Sequence, residues 1–204
     1  RMVLVTGHRR ENFGEGFKNI CAAIRQIAIS NPAIQVIYPV HLNPNVQKPV
    51  KKILSNLDNV YLIDPLEYES FVYLMKASYL ILTDSGGIQE EAPSLGIPVL
   101  VMRDETERPE ALEAGTVMLT GTSKDSIFTN LEKLFNDKKY EDLFLKAQHT
   151  TTLDQRVMAI KNLSNYLHDE AWVVPLFEKK LLVSTSLKNK AGSFDFPCQK
   201  GGNE

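Results

Sequence analysis

At 204 residues the chain is long enough for one large domain, or for one domain with an appendage. Its 23 basic and 25 acidic side chains leave a net charge of −2, so no basic surface argues for nucleic acid as a partner. Cys21 and Cys198 lie far apart and imply neither a disulfide framework nor a metal knuckle, and no apolar run reaches the roughly 18 residues that a membrane-crossing helix needs.

The opening residues, Arg1-Met2-Val3-Leu4-Val5, read as a strand rather than a signal peptide, and the missing initiator methionine fits a fragment that begins just before a strand. Met2–Thr6 is the first predicted strand. Gly16–Ser30 follows with Phe17, Ile20, Ile24 and Ile27 at helical spacing, and Cys21 falls among them as a small core residue. Strands are predicted at Ile34–Pro39, Val60–Ile63, Tyr79–Thr83, Val99–Met102 and Thr116–Leu119. Helices are predicted at Val46–Leu57, Tyr68–Ala77, from the Gly86-Gly87 turn to Leu95, and over Lys124–Asn136 and Lys138–Ala147. Near-continuous apolar strands alternating with helices imply a parallel sheet covered on both faces, an α/β, doubly wound, Rossmann-like domain.

The pattern changes near His149. Thr150-Thr151-Thr152 interrupts it, and Leu153–Glu170 gives one amphipathic helix with Val157, Ile160, Leu163 and Leu167 on a face. Trp172–Phe177 and Leu181–Val183 are short apolar runs, and Lys188–Glu204 is polar and poor in pattern. The chain therefore divides into a Rossmann-like domain over 1–148 and a helical and extended tail over 149–204.

Open doubly wound sheets bind ligands beyond the carboxyl ends of their strands, and four polar segments fall there. Thr6-Gly7-His8-Arg9-Arg10-Glu11-Asn12 offers guanidinium forks and a glycine that permits close backbone approach, which suits an anion, although its charges can equally pair with one another. Thr83-Asp84-Ser85-Gly86-Gly87 turns a strand into a helix, so free N–H groups and the positive end of the helix dipole face outward, a site for a diphosphate. Ser85 can add a hydroxyl donor, and Glu91, one turn on, can accept from ribose hydroxyls; the competing reading is plain helix capping by Asp84 or Ser85. Arg103–Glu110 nearly balances its charges and suits an internally paired loop. His41 in the Pro39–Pro44 turn and Phe71 in its helix are, on general grounds, structural before they are functional.

Taken together, TGHRREN, YPVHLNPNV, LTDSGGIQEEAPSLGIPVLVMRD and TERPEA, in this order, resemble the C-terminal domain of the bacterial non-hydrolysing UDP-N-acetylglucosamine 2-epimerases. The resemblance runs from Met2 to about Ala147. It implies one half of a glycosyltransferase-B-type two-domain enzyme that interconverts UDP-N-acetylglucosamine and UDP-N-acetylmannosamine. It further implies a cytoplasmic enzyme that feeds polysaccharide synthesis, forms a homodimer at full length, and uses no cofactor or metal. By the resemblance Ser85, Gly86 and Gly87 hold the diphosphate, with Arg108 as counter-charge; Phe71 packs near the uracil and Glu91 binds the ribose. His8 sits by the diphosphate and assists departure of UDP, while Arg9 and His41 match a second, regulatory UDP-N-acetylglucosamine site.

Two departures set limits on that resemblance. The family's N-terminal domain, with the carboxylates assigned to proton transfer, is not in this sequence, and the Asn-Pro-Tyr-Gly-Asp-Gly segment before the family's last helix is replaced by a stretch ending His149-Thr150-Thr151-Thr152. Residues 150–186 are faintly similar to the C-terminal end of a periplasmic solute-binding protein, which implies a chain joined from two unrelated pieces. Three readings follow: a truncated epimerase that retains UDP binding but not turnover, a non-catalytic UDP-sugar-binding module, or a related hydrolysing epimerase or glycosyltransferase.

Overall fold

The computed structural model describes residues 1–107 and 117–169. Six strands appear where short apolar runs fall between turn residues: β1 (Met2–Thr6), β2 (Gln35–Pro39), β3 (Val60–Ile63), β4 (Leu80–Thr83), β5 (Val99–Val101) and β6 (Val117–Leu119). All pair in parallel, in the order β3-β2-β1-β4-β5-β6. The order starts at β1, runs outward to β3, then returns to the other side of β1 with β4. The doubly wound α/β sheet expected from the sequence is therefore present, and its switch point lies between β1 and β4.

Seven α-helices are described: α1 (Glu15–Ser30), α2 (Pro44–Leu54), α3 (Tyr68–Ala77), α4 (Gly86–Ser94), α5 (Lys124–Asn136), α6 (Lys138–Gln148) and α7 (Leu153–Asp169). A single turn of 3₁₀-helix, Arg10–Asn12, precedes α1. Helix α1 buries Phe17, Ile20, Cys21, Ile24 and Ile27 along one stripe, and it packs against α2 and α5. Helix α2 begins at Pro44, earlier than its apolar spacing suggests. The Asn43 side chain accepts from the Asn45 amide at 2.9 Å, and Pro44 suits a first turn whose N–H would be unpaired anyway.

The amino end of β4 rests in an aromatic cluster. Tyr79 stacks on Phe135 at 5.9 Å and meets Tyr140 and Phe144 edge-on at 5.2 and 4.7 Å. The Tyr140 hydroxyl donates to the Tyr79 carbonyl at 3.1 Å, and the Arg1 guanidinium lies 5.2 Å over the Tyr79 ring while donating to the Phe135 carbonyl.

The helix expected at the start of the tail is α7, and it lies on α6. Leu163 is buried, and the Tyr166 hydroxyl donates to Asp137 Oδ2 at 2.6 Å with Lys139 Nζ above its ring. Arg156 Nη2 donates to the Leu95 carbonyl at 3.2 Å. Ile160 comes so close to Gly96 (φ +77) that a β-carbon there would sit 2.5 Å from its Cδ1. Val157, placed by its spacing on the buried face, is instead 55% exposed. Arg156, Ile160 and Leu163 define the docked face, and Val157 is about 100° round the helix from Arg156. The side chain of Leu167 and the strand expected at Val173–Phe177 lie outside the described residues. Among the described residues no helix is long and apolar enough to cross a membrane.

Candidate functional site

Strands β1 and β4 run side by side from Val3 opposite Leu80 to Thr6 opposite Thr83, so the loops that leave them start together at the switch point. The Thr6 and Thr83 hydroxyls meet at 2.5 Å. One residue further, the Asp84 side chain is completely buried. It turns away from the helix it precedes and into the β1 loop, where its carboxylate accepts from the amides of His8 (3.0 and 3.2 Å) and Arg9 (2.9 Å) and from Asn12 Nδ2 (3.2 Å). Gly7, just before, is tightly packed: a β-carbon would meet the Tyr38 hydroxyl at 3.1 Å, and that hydroxyl donates to the Gly7 carbonyl at 3.0 Å. Burial, with Cys21 and Asp84 nearby, pushes the Tyr38 phenol well above its ordinary range, so it remains a donor.

Because Asp84 is engaged with the other loop, it does not cap α4. Ser85 occupies the N-cap position in an extended conformation and makes no side-chain cap either. The first-turn N–H groups of α4 are therefore left without a side-chain partner at Gly86 and Gly87, which is the arrangement an anion requires. Three polar groups surround the two glycines. Arg9 Nη2 lies 3.4 Å from where a β-carbon on Gly86 would be; Glu91 Oε1 and Ser85 Oγ lie 3.8 and 4.0 Å from the same point on Gly87. The site is thus open at the backbone and ringed by a cation, a hydroxyl and a carboxylate.

Two further connections hold this cradle. Gln89, 1% exposed, donates from Nε2 to the Ser85 carbonyl at 3.2 Å and accepts at Oε1 from the Thr106 hydroxyl at 2.5 Å, tying the cradle to the loop after β5. Of that loop's charges, Arg103 and Glu107 are paired with each other and with the β1 loop: Arg103 Nε lies 2.8 Å from Glu11, Arg103 Nη2 lies 3.4 Å from Glu107, and Arg9 Nη1 lies 3.4 Å from Glu107 and 3.9 Å from Glu11. The guanidinium of Arg9, with Arg103 beside it, holds the Glu107 carboxyl below its usual range. Arg108, the next residue, lies outside the described residues.

His8 is half exposed, with Nδ1 3.9 Å from Asp84 Oδ1, and its ring stacks on His41 at 5.1 Å and 12°. His41 Nδ1 accepts from the Asn43 amide at 3.1 Å, so this histidine has the structural role favoured on general grounds and a place beside His8 as well. On α3, the Tyr68 hydroxyl donates to Glu91 Oε2 at 2.9 Å, and that bond to a carboxylate pushes the Tyr68 phenol up. Phe71, one turn later, is partly buried against the core.

His8, Arg9, Ser85, Gly86, Gly87 and Glu91 thus converge on one end of the sheet, with His41 joined through His8. Asp84, Asn12, Gln89, Tyr38 and Tyr68 were not singled out as site residues. From the sequence Asp84 reads as a cap, and nothing local tells a capping carboxylate from one that reaches across to a loop 76 residues earlier in the chain. Among the described residues no cluster of three or more His, Cys, Asp or Glu side chains could hold a metal ion.

Comparison with known proteins identifies the family. The family described as UDP-N-acetylglucosamine 2-epimerase matches residues 1–152. A UDP-N-acetylglucosamine 2-epimerase of Campylobacter jejuni is 64% identical over 147 residues, which are 72% of this chain and 38% of the relative. The crystal structure of UDP-GlcNAc 2-epimerase from Neisseria meningitidis bound to UDP-GlcNAc superposes with a TM-score of 0.67 at 45% identity, over 93% of this chain and 45% of that one. The Methanocaldococcus jannaschii UDP-GlcNAc 2-epimerase, in complex with UDP-GlcNAc and UDP, superposes with a TM-score of 0.59 at 35% identity, over 68% of this chain and 39% of that one. The chain spans about two fifths of the length of the curated relatives it matches.

Proposed function

The chain belongs to the UDP-N-acetylglucosamine 2-epimerase family, and we propose that it is the UDP-binding half of such an enzyme, competent to bind UDP and UDP-N-acetylglucosamine but not to turn them over alone. The observation that carries this reading is the uncapped first turn of α4 at the switch point, with Arg9, Ser85 and Glu91 around Gly86 and Gly87. A diphosphate on those amides would have Arg9 as a counter-charge within reach, with Arg108 added on the resemblance alone. Glu91, its Oε2 already occupied by Tyr68, offers Oε1 to a ribose hydroxyl, and Phe71 is assigned to the base on the resemblance alone.

In the reaction we propose for the complete enzyme, a base removes the C2 proton as UDP leaves C1, giving a 2-acetamidoglucal; C2 is then reprotonated on the opposite face as the UDP oxygen adds back to C1. Charge develops on the departing diphosphate, where the α4 amides, Arg9 and His8 would stabilise it. The proton transfer at C2 is assigned to the facing domain. Here Glu11 and Glu107 are tied to arginines and Glu91 to Tyr68, while Asp84 is fully buried. We also assign the complete enzyme to the cytoplasm and to a homodimer, and, on the resemblance alone, Arg9 with His41 to a regulatory contact at the edge of the cradle. The division of the chain near residue 148, with a tail of separate origin, is part of the same proposal; the family match ends at residue 152.

Two measurements test this. Replacing Gly86 with valine puts a branched side chain against Arg9 and over the amides, and UDP affinity by calorimetry should fall about tenfold or more. Unchanged affinity would remove the diphosphate assignment. For turnover, solvent deuterium should not enter C2 of UDP-N-acetylglucosamine in the presence of this chain, because losing a positioned base costs on the order of 10² to 10⁴ in rate and losing a whole facing domain costs more. Label incorporated at enzyme-like rates would place a C2 base within these residues.

A further inference from the structure

The Asp84 carboxylate is the most deeply buried charge among the site residues, and its only ion pair among the described residues is the 3.9 Å approach of His8 Nδ1. Removing a carboxylate from water is costly, and an imidazole at that distance offsets little of it. What the position does provide is four hydrogen-bond contacts, all from the β1 loop and all within the span His8–Asn12: two from the His8 amide, one from the Arg9 amide and one from Asn12 Nδ2. Asn12 also reaches the Met102 carbonyl at the end of β5, at 3.4 Å. The carboxylate is next to Ser85 in the chain, and Ser85 and Gly86 open the cradle.

We propose that Asp84 is a positioning residue: its buried carboxylate pins the His8-Arg9 backbone to the mouth of the α4 cradle, so that the cation and the imidazole on the β1 loop are held at the diphosphate of a bound nucleotide. This deepens the UDP-binding reading and rests on it for the ligand, but not for the pin itself. Two N–H donors converge on Oδ2 from the backbone, and a third comes from Asn12. The charged oxygen strengthens all three bonds, whereas a carboxamide oxygen in its place is neutral and its amide nitrogen, at the Oδ1 position, would set N–H against the His8 amide that reaches there at 3.2 Å. Asp84→Asn therefore keeps the shape and weakens the pin.

The test uses the whole chain. In Asp84→Asn, hydrogen exchange at the His8 and Arg9 amides should quicken at least tenfold while the β4 amides of Ile81 and Leu82 keep their protection. UDP should lose about tenfold in affinity and UMP much less, because only the second phosphate depends on Arg9 being in place. Equal loss for UDP and UMP, or no change at the His8 and Arg9 amides, overturns the proposal. If the variant fails to fold, the wild-type chain decides. Scalar couplings across the hydrogen bonds should join the His8 and Arg9 amide nitrogens to the Asp84 carboxyl carbon in NMR, and their absence overturns the pin. If wild-type UDP binding itself is undetectable, the UDP-binding reading fails, while the exchange and coupling results still decide whether Asp84 pins the loop.

Discussion

Strand β4 begins after Tyr79 and ends before Asp84, and the two residues show how differently one sheet is finished at its two ends. Below, Tyr79 lies in a packed aromatic cluster with Phe135, Tyr140 and Phe144, closed over by Arg1. Above, Asp84 lies among polar donors from a distant loop, with Gln89 and Arg103 buried nearby. Aromatic packing at close range stabilises through burial and ring geometry and does not require any one atom to be available to a ligand. Buried polar groups stabilise little net, and they fix the directions of the groups that they contact. The lower end is accordingly where the domain's stability should concentrate, and the upper end where its binding should.

The strongest way to break that contrast is to empty the lower cluster. Tyr140 is fully buried, touches Tyr79 and Phe144, and donates to the Tyr79 carbonyl. Tyr140→Ala should cost about 3–5 kcal/mol in denaturant unfolding, as large-to-small aromatic core substitutions do. In the fraction that remains folded, UDP affinity should be unchanged. A loss of affinity larger than the loss of folded protein would mean that the two ends are coupled through β4, contrary to the division drawn here.

A second, somewhat smaller effect is expected at Gly96, where α7 meets the domain. The residue has φ +77, and a β-carbon would overlap Ile160. Gly96→Val combines a left-handed conformation that branched residues resist with displacement of α7, and should destabilise by about 2–4 kcal/mol. If α7 is an integral part of the lower layer, its amides should exchange as slowly as those of α6 in the wild-type chain and quickly in the variant. Rapid exchange over Leu153–Asp169 already in the wild type would instead favour a tail that is loosely joined.

The sequence shows the frame of this contrast more readily than its contents. Strand and helix positions follow from periodicity and turn residues, since an apolar run such as Leu80–Thr83, buried throughout, has few other places to go. The Ser85–Gly87 turn was legible because two glycines between a strand and a helix carry a local meaning. Asp84 was not, because its partners are three-quarters of a hundred residues away and a carboxylate before a helix reads first as a cap. Val157 was misplaced for a related reason: four apolar residues at helical spacing define a stripe, but the docking contacts of Arg156 and Ile160 decide which part of the stripe is covered. Local pattern identifies elements, while long-range hydrogen bonds and docking angles decide which side chains meet.

The smallest of these effects is a pH dependence that separates the ends by titration. Burial pushes the Cys21 thiol from 9.0 up to about 12, with a backbone hydrogen bond partly opposing the rise. Tyr38, near the upper end, and Tyr140, in the lower cluster, are both raised well above the ordinary tyrosine value, chiefly by burial. Each group is neutral when protonated and holds its proton more tightly in the folded chain than in the unfolded one. Stability is therefore unaffected below the unfolded values and falls as pH rises past them, because the unfolded chain loses these protons first. For Cys21 the fall begins near pH 9 and should reach on the order of 1 kcal/mol by pH 10. Cys21→Ala should flatten the stability profile between pH 9 and 10, and the tyrosines should contribute only further up. Tyr140→Phe and Tyr38→Phe then distinguish the ends. Both should reduce the alkaline fall, but only Tyr38→Phe, which frees the Gly7 carbonyl beneath the His8 loop, should also weaken UDP binding. Equal binding in the two variants would mean that the upper loop is held by Asp84 without help from Tyr38.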